Sequence, residues 1–313
     1  MEMMTLYMLI GFLLAAYSVI GNDSVQTLGT FINSNRDVKW YWMWAGASAV
    51  LIATVLSGWY FGGGDISHGR LNKIPFETIE WYHALAPGVL LLLTRIGIPV
   101  STSFLVLSAF ASTVVLEKML LKSAMGYAVA AIAAYVVWLV IAKILDEKQK
   151  PLCHGAAQKW RIAQWCSTGL LWYMWLSHDM ANIAVFLPRD LPVDLLIGVI
   201  GVFIFGLAFM FYERGGKIQQ IVIQKTDTRY VRSATLIDLF YAFVLWYFKM
   251  YNDIPMSTTW VFVGLLAGRE FAIATVMDRK IKRVFPMVFK DFGKMMIGLL
   301  ASVGVVLAIH QLS

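Results

Sequence analysis

Apolar stretches of about twenty residues recur along the whole length of this chain, and twenty is the length a helix needs to cross the hydrocarbon of a bilayer. Runs of that kind dictate helices, because in lipid a helix satisfies its backbone groups within its own segment. Hydrophobic residues make up 59% and charged residues 14% of the chain, a balance that excludes a soluble domain. Met1–Ile20 has neither a basic start nor a small-residue cleavage site, so it reads as a retained membrane segment rather than a cleaved signal. Cys153 and Cys166 are too few and too far apart in kind to suggest a disulfide framework or a metal site.

Two of the apolar stretches carry acids where lipid disfavours them. Val19-Ile-Gly-Asn-Asp-Ser-Val-Gln-Thr-Leu-Gly-Thr30 contains Asn22 and Asp23, and Ser177-His-Asp-Met-Ala-Asn182 places Asp179 156 positions after Asp23. A second motif keeps the same interval: Pro99-Val-Ser-Thr-Ser103 returns as Pro255-Met-Ser-Thr-Thr259. Acid and proline are therefore 76 residues apart in both halves. Two unrelated polar motifs in one register indicate a duplicated membrane protein, whose copies build one polar site.

The expected spans of the first half are Met3–Phe31 (broken at Asn22-Asp23), Trp40–Phe61, Ile79–Ile98, Val100–Leu116 and Ser123–Ile144. Those of the second are Ile162–Leu187 (broken at His178-Asp179), Val193–Tyr212, Ala234–Tyr251, Met256–Met277 and Met295–His310. Val100–Leu116 is short for a crossing and suits one arm of a re-entrant pair. Residues 1–145 form the first repeat, the polar stretch 146–159 a cytoplasmic connector, and 160–313 the second repeat.

Five crossings per half reverse the second copy in the membrane, and charge agrees. With the N-terminus outside, the inner loops hold 19 Lys and Arg and the outer ones six. Basic residues gather on the cytoplasmic side, so the net charge of +7 reports orientation, with no call for nucleic acid. The fold expected is an all-α integral membrane protein of the inner, or plasma, membrane. It has an inverted-topology repeat of about five segments each, half-helices meeting near the midplane, and both termini outside.

The chemistry follows from the two motifs. In a helix, Asp23, Gln26, Thr27 and Thr30 share a face, and Asp179 and Asn182 repeat part of it. A carboxylate at that depth costs several kcal/mol unless paired or solvated, although Asp and Asn also serve simply as helix caps. Proline suits a first helical turn, so Ser101, Thr102 and Ser103, and Ser257, Thr258 and Thr259, stand at helix starts. Free N–H groups and hydroxyls there suit an anion; the plainer alternative is that the hydroxyls only cap or bond back to their own backbone. An anion beside two ionised aspartates is repelled unless a cation or a proton lies between them. Hydroxyl, carboxylate and carbonyl oxygens are hard ligands of the kind sodium takes. The combination implies an oxyanion moved together with a cation, with no organic cofactor and no catalysis.

These residues also carry a resemblance. Gly21-Asn-Asp-Ser-Val-Gln-Thr-Leu-Gly-Thr30 resembles the Gly-x-Asn-Asp-x-x-Asn-x-x-Gly-Thr motif of the inorganic phosphate transporter family. Arg95–Ser103 and Asp253–Gly264 resemble its Leu-Pro-Val-Ser-Thr-Thr segments, and Gly215-Gly-Lys-Ile218 its glycine-basic step. The resemblance covers both halves. It implies a sodium- or proton-coupled phosphate symporter, with hairpin-like half-helices and usually a homodimer; sulfate permeases occur among the relatives. The anion contacts are then Ser101, Thr102, Ser103, Ser257, Thr258, Thr259, Gln26 and Asn182. The coupling cation falls to Asn22, Asp23, Thr27, His178 and Asp179, with Asp23 and Asp179 as ligands where it is sodium. The chain departs from the pattern at Gln26, His178, Val185-Phe186 and Ser103, and lacks the large soluble insertion of many relatives.

Other polar residues in the spans have quieter readings. His83 and Asp238 suit satisfied buried hydrogen bonds or a gate or proton relay; Arg269 and Glu270, adjacent on a helix, point to different faces and need not pair. The Trp40–Trp44 cluster reads as an interfacial belt, and the basic inner loops allow contact with anionic lipid. A sulfate permease, a channel or non-transporting sensor, and an intramembrane enzyme using Asp23 and Asp179 are the competing functions. No flanking motif specifies such an enzyme. In a variant with both native cysteines replaced by serine, Lys150→Cys should react with an impermeant thiol reagent from the cytoplasmic side only. Labelling from outside would overturn the topology.

Overall fold

The computed structural model describes residues 6–95, 100–145, 154–215, 231–276, 282 and 284–312. Among these the regular elements are all helical. The first half contains α1 (Leu6–Ser18), a π-wound stretch Val19–Ser24, α2 (Val25–Ser34), α3 (Trp40–Phe61), a 3-10 turn Trp81–Ala84 and α4 (Leu85–Arg95). A second π-wound stretch, Ser103–Leu107, and α5 (Thr113–Leu145) complete it. The second half contains α6 (His154–Asp179), the single turn α7 (Ala181–Ala184), α8 (Val193–Tyr212), α9 (Val231–Tyr251), α10 (Thr258–Val276) and α11 (Val284–Leu312). Among the described residues, 7 helices are long and apolar enough to cross a membrane. The chain is an all-α, multi-pass membrane protein.

The structure departs from the expected spans in two ways. The helices at Asn22-Asp23 and His178-Asp179 are distorted rather than broken. Ser24 and Val25 keep right-handed helical angles, and the chain widens into π winding over Val19–Ser24. Such winding frees a backbone carbonyl from the regular ladder and often marks functional positions. Met180 also stays helical, between α6 and α7.

The expected spans Val100–Leu116 and Ser123–Ile144, with a loop between them, are the second departure. The first is a short π-wound segment followed by a turn, while Glu117–Lys122 belongs to the 33-residue α5. At 1.5 Å per residue α5 is about 50 Å long, well beyond the roughly 30 Å of hydrocarbon. Lys122 is tolerated within it because Asn252 O, Asn252 Oδ1 and Ile254 O accept its three N–H groups at 2.8–2.9 Å. Pro99, the 146–153 part of the connector and Gly216-Lys-Ile218 lie outside the described residues.

Packing repeats between the halves. α1 packs on α4 as α6 packs on α9; α5 packs on α10 as α11 packs on Ser103–Leu107; α3 packs on α8. Phe104 and Trp260 lie 156 positions apart, and their rings meet at 5.5 Å between centroids. Equivalent residues touching one another mark the place where the halves meet.

The tightest of these seams joins α5 and α10. A Cβ added at Gly264 would fall 2.3 Å from Tyr127 O, and one at Gly268 2.0 Å from Ala131 O. Both obstacles are backbone, so glycine at four-residue spacing is what lets the helices approach, as small residues do in membranes. Gly268→Ala should therefore destabilise the protein by about 1–3 kcal/mol, the usual cost of overpacking. Gly304→Ala, which meets nothing within 4 Å, should leave the unfolding midpoint in detergent unchanged. Equal midpoints for both would contradict this seam.

Candidate functional site

Asp23 and Asp179 are 3% and 1% exposed and interact with each other electrostatically. What joins them is the first hydroxyl motif. Thr102 Oγ1 donates to Asp23 Oδ2, and the next residue, Ser103, donates to Asp179 Oδ1 at 3.3 Å. Two successive residues of one helix start therefore hold a carboxylate from each half. The second motif supplies the repeat-equivalent contact, with the Thr258 side chain against Asp179. Asn22 Nδ2 donates to Asp23 Oδ1 at 2.7 Å, and Asn182 Nδ2 to Asp179 Oδ1 at 2.8 Å.

The three hydroxyls of each motif divide their work. Ser101 Oγ accepts from Phe104 N and Ser257 Oγ from Trp260 N, each at 3.2 Å. Leu105 N bonds Ser101 O, and Val261 N bonds Ser257 O. The serines are thus helix N-caps, in the same geometry 156 positions apart, while the threonines beside them turn to the acids. Thr259 is buried, 4% exposed. Thr27 bonds back to Asp23 O at 3.0 Å. The Gln26 side chain lies outside what the structure describes.

His178 stands apart from the expected cation set. Its Nε2 meets Leu245 O at 2.9 Å, where Asn22, its counterpart, bonds its own acid. A carbonyl only accepts, so Nε2 carries the hydrogen and Nδ1 of the neutral ring is a bare acceptor. Among the described residues Nδ1, Asp179 Oδ2, Asn182 Oδ1 and Ser24 Oγ are buried without a hydrogen-bond partner. Unsatisfied buried polar atoms are scarce in proteins, and these four belong to Asp179 or to residues within three positions of one of the paired acids.

Several participants carry no repeated signal in the sequence. Tyr241 donates its hydroxyl to Thr258 O at 3.0 Å and lies within electrostatic reach of both acids. Asp238 receives Thr30 Oγ1 at 2.6 Å and Thr168 Oγ1 at 2.5 Å, tying α2, α6 and α9 together. From there Ser34, Asn35 and Gln164 continue a hydrogen-bonded polar seam to Arg161, which pairs with Asp37 at 3.2 Å. His83 accepts from Glu80 N and stacks on Phe110 at 4.6 Å. Arg269 and Glu270, expected to need no pairing, do pair at 2.9 Å. The long arginine curls along α10, and in a low dielectric two adjacent charges gain by meeting.

Arg70 approaches from the loop between α3 and the 3-10 turn. It is 1% exposed and donates Nη1–H to Asn252 O at 2.7 Å. Burial pulls its guanidinium down to about 10, with Asp253 and Asp179 opposing the shift, so it stays charged at neutral pH. His68, in the same loop, falls to about 4 through burial and the nearby Lys249 charge, and is neutral.

No protein-family model matches the chain, and no curated protein does. A solved structure described as "The sodium-dependent phosphate transporter" superposes with a TM-score of 0.65 at 17% identity, covering 97% of this chain and 96% of that one. The fold is thus the fold of a transporter structure, shared over nearly the entire length of both.

The serine caps are directly testable. Ser101→Ala and Ser257→Ala should each cost about 0.5–2 kcal/mol of stability, the usual worth of an N-cap, and by similar amounts in the two halves. Thermal unfolding in detergent measures this; a cost confined to one would show that the equivalent caps do not bear equally on the fold.

Proposed function

We propose that this chain is a cation-coupled symporter of a tetrahedral oxyanion, and that the oxyanion is inorganic phosphate. The observation that carries the reading is the joining of Asp23 and Asp179 through Thr102 and Ser103 in a fully buried setting. Two like charges held that close in a low dielectric call for a cation or a proton between them. Placing an anion beside that cation makes its binding favourable only when both are present, which is the basis of coupling. Likeness of fold to a sodium-dependent phosphate transporter supports the same class.

Phosphate is favoured over sulfate by chemistry. Asp179 Oδ2 and Asn182 Oδ1 are buried acceptors without a donor. Hydrogenphosphate brings an O–H to such an acceptor and sulfate brings none at neutral pH, and a site that leaves buried polar groups unpaired rejects the analogue. The coupling ion is sodium or a proton. The charge bias of the loops supports opposed orientations for the two halves, with the N-terminus outside the inner membrane; a homodimer is the expected assembly, with lipid around its apolar faces.

Reconstituted into proteoliposomes, the wild-type chain should concentrate labelled phosphate when a sodium or proton gradient is imposed. Asp23→Asn and Asp179→Asn should each abolish accumulation while leaving a folded, monodisperse protein. Accumulation of sulfate in preference to phosphate would correct the substrate. Equilibration without accumulation would make it a channel, and full activity in either Asn variant would remove the acids from coupling.

A further inference from the structure

A guanidinium can bind an oxyanion through its side-on edge, formed by Nε–H and the Nη2–H lying parallel to it. In Arg70 the opposite nitrogen, Nη1, is occupied by Asn252 O, and among the described residues both Nε and Nη2 are buried without a partner. The whole edge is therefore presented to nothing, although the residue is 1% exposed. Leaving charged donors dry and unpaired is expensive. Arginine spent only on holding Asn252 would gain nothing from that edge, since Lys122 already holds the same carbonyl at 2.9 Å.

The surroundings are cationic. Lys122 and Lys249 both lie within electrostatic reach of Arg70, and the Lys249 ammonium lies 5.3 Å from the Tyr173 ring centroid. Asp253 and Asp179 are the acids within reach. Lys122 is fully committed to carbonyl and amide oxygens, so it does not compete for a ligand. His178, one residue before Asp179, lies within electrostatic reach of Arg70, and among the described residues its Nδ1 is also without a partner. The repeat does not provide this cluster twice: the equivalents of His178 and Lys249 are Asn22 and Leu93.

We propose that the free edge of Arg70, with Lys122 and Lys249 close by, forms a second oxyanion subsite beside the central one, on the side of the α3-to-α4 loop. It takes phosphate or sulfate alike, because the guanidinium edge offers donors only and is indifferent to a substrate proton. The central acids then discriminate what the outer subsite collects. This rests on the oxyanion reading of the central site, so the two must be tested separately.

The test uses the full chain in lipid nanodiscs at low ionic strength, with labelled phosphate and labelled sulfate as probes. Thr102→Ala combined with Thr258→Ala disables the central contacts. That double variant should keep a weak site that either anion fills. Adding Arg70→Gln should reduce the residual affinity by about ten- to a hundredfold, the worth of lost hydrogen bonds to a charged group. Wild-type binding with no residual site in the double variant would overturn the subsite and leave the central reading intact. Residual binding indifferent to Arg70→Gln would do the same. A wild-type chain that binds neither anion would overturn both. Where Arg70→Gln does not fold, Arg70→Lys keeps the charge and lacks the parallel edge; it should still weaken the residual site about tenfold, and unchanged binding would overturn the subsite.

Discussion

Asp23 and Asp179 are held within electrostatic reach of each other, buried, by hydroxyls on consecutive residues. Such a pair is unfavourable by itself, and the surrounding structure is arranged to permit it. Asn22 and Asn182 each give an amide N–H to the neighbouring acid. Ser101 and Ser257 cap the helices whose next residues reach the acids, so the donors are fixed by backbone geometry rather than by flexible side chains. The close glycine seam between α5 and α10 carries the second of those helices. The surrounding hydrogen bonds thus offset part of the cost of burying two acids together.

Lipid makes much of this legible in the sequence. α3 spans Trp40–Phe61 and α8 spans Val193–Tyr212, as apolar length alone indicates, because nothing but a helix suits those runs. Asp23, Asp179 and the hydroxyl motifs are legible through their common interval, since repetition separates a site from incidental polar residues. What escapes is whatever depends on a partner distant in sequence. Lys118 and Lys122 look like a loop between spans; α5 continues through them because Asn252 and Ile254, some 130 residues away, satisfy Lys122. Tyr241 and Arg70 have no like residue 156 positions away, and their roles depend on meeting Thr258 and Asn252. The split between capping serine and acid-binding threonine is likewise invisible in a string of hydroxyls.

The flanks of the site are not alike, and the difference matters most if the halves exchange conformations. In an inverted repeat, alternating access amounts to each half adopting the other's arrangement, so identical halves would give the two states equal energy. This chain breaks the equality beside the acids. Asp238, Thr30 and Thr168 form one buried hydrogen-bonded cluster, and their counterparts 156 positions away are Tyr82, Phe186 and Phe12. Phe186 packs edge-on to Phe110, itself stacked on His83. One flank is thus a polar seam continuing through Ser34, Asn35 and Gln164 to Arg161, and the other is aromatic. Were the halves to exchange arrangements, these unlike flanks, rather than the likeness of the halves, would set which arrangement the empty protein prefers.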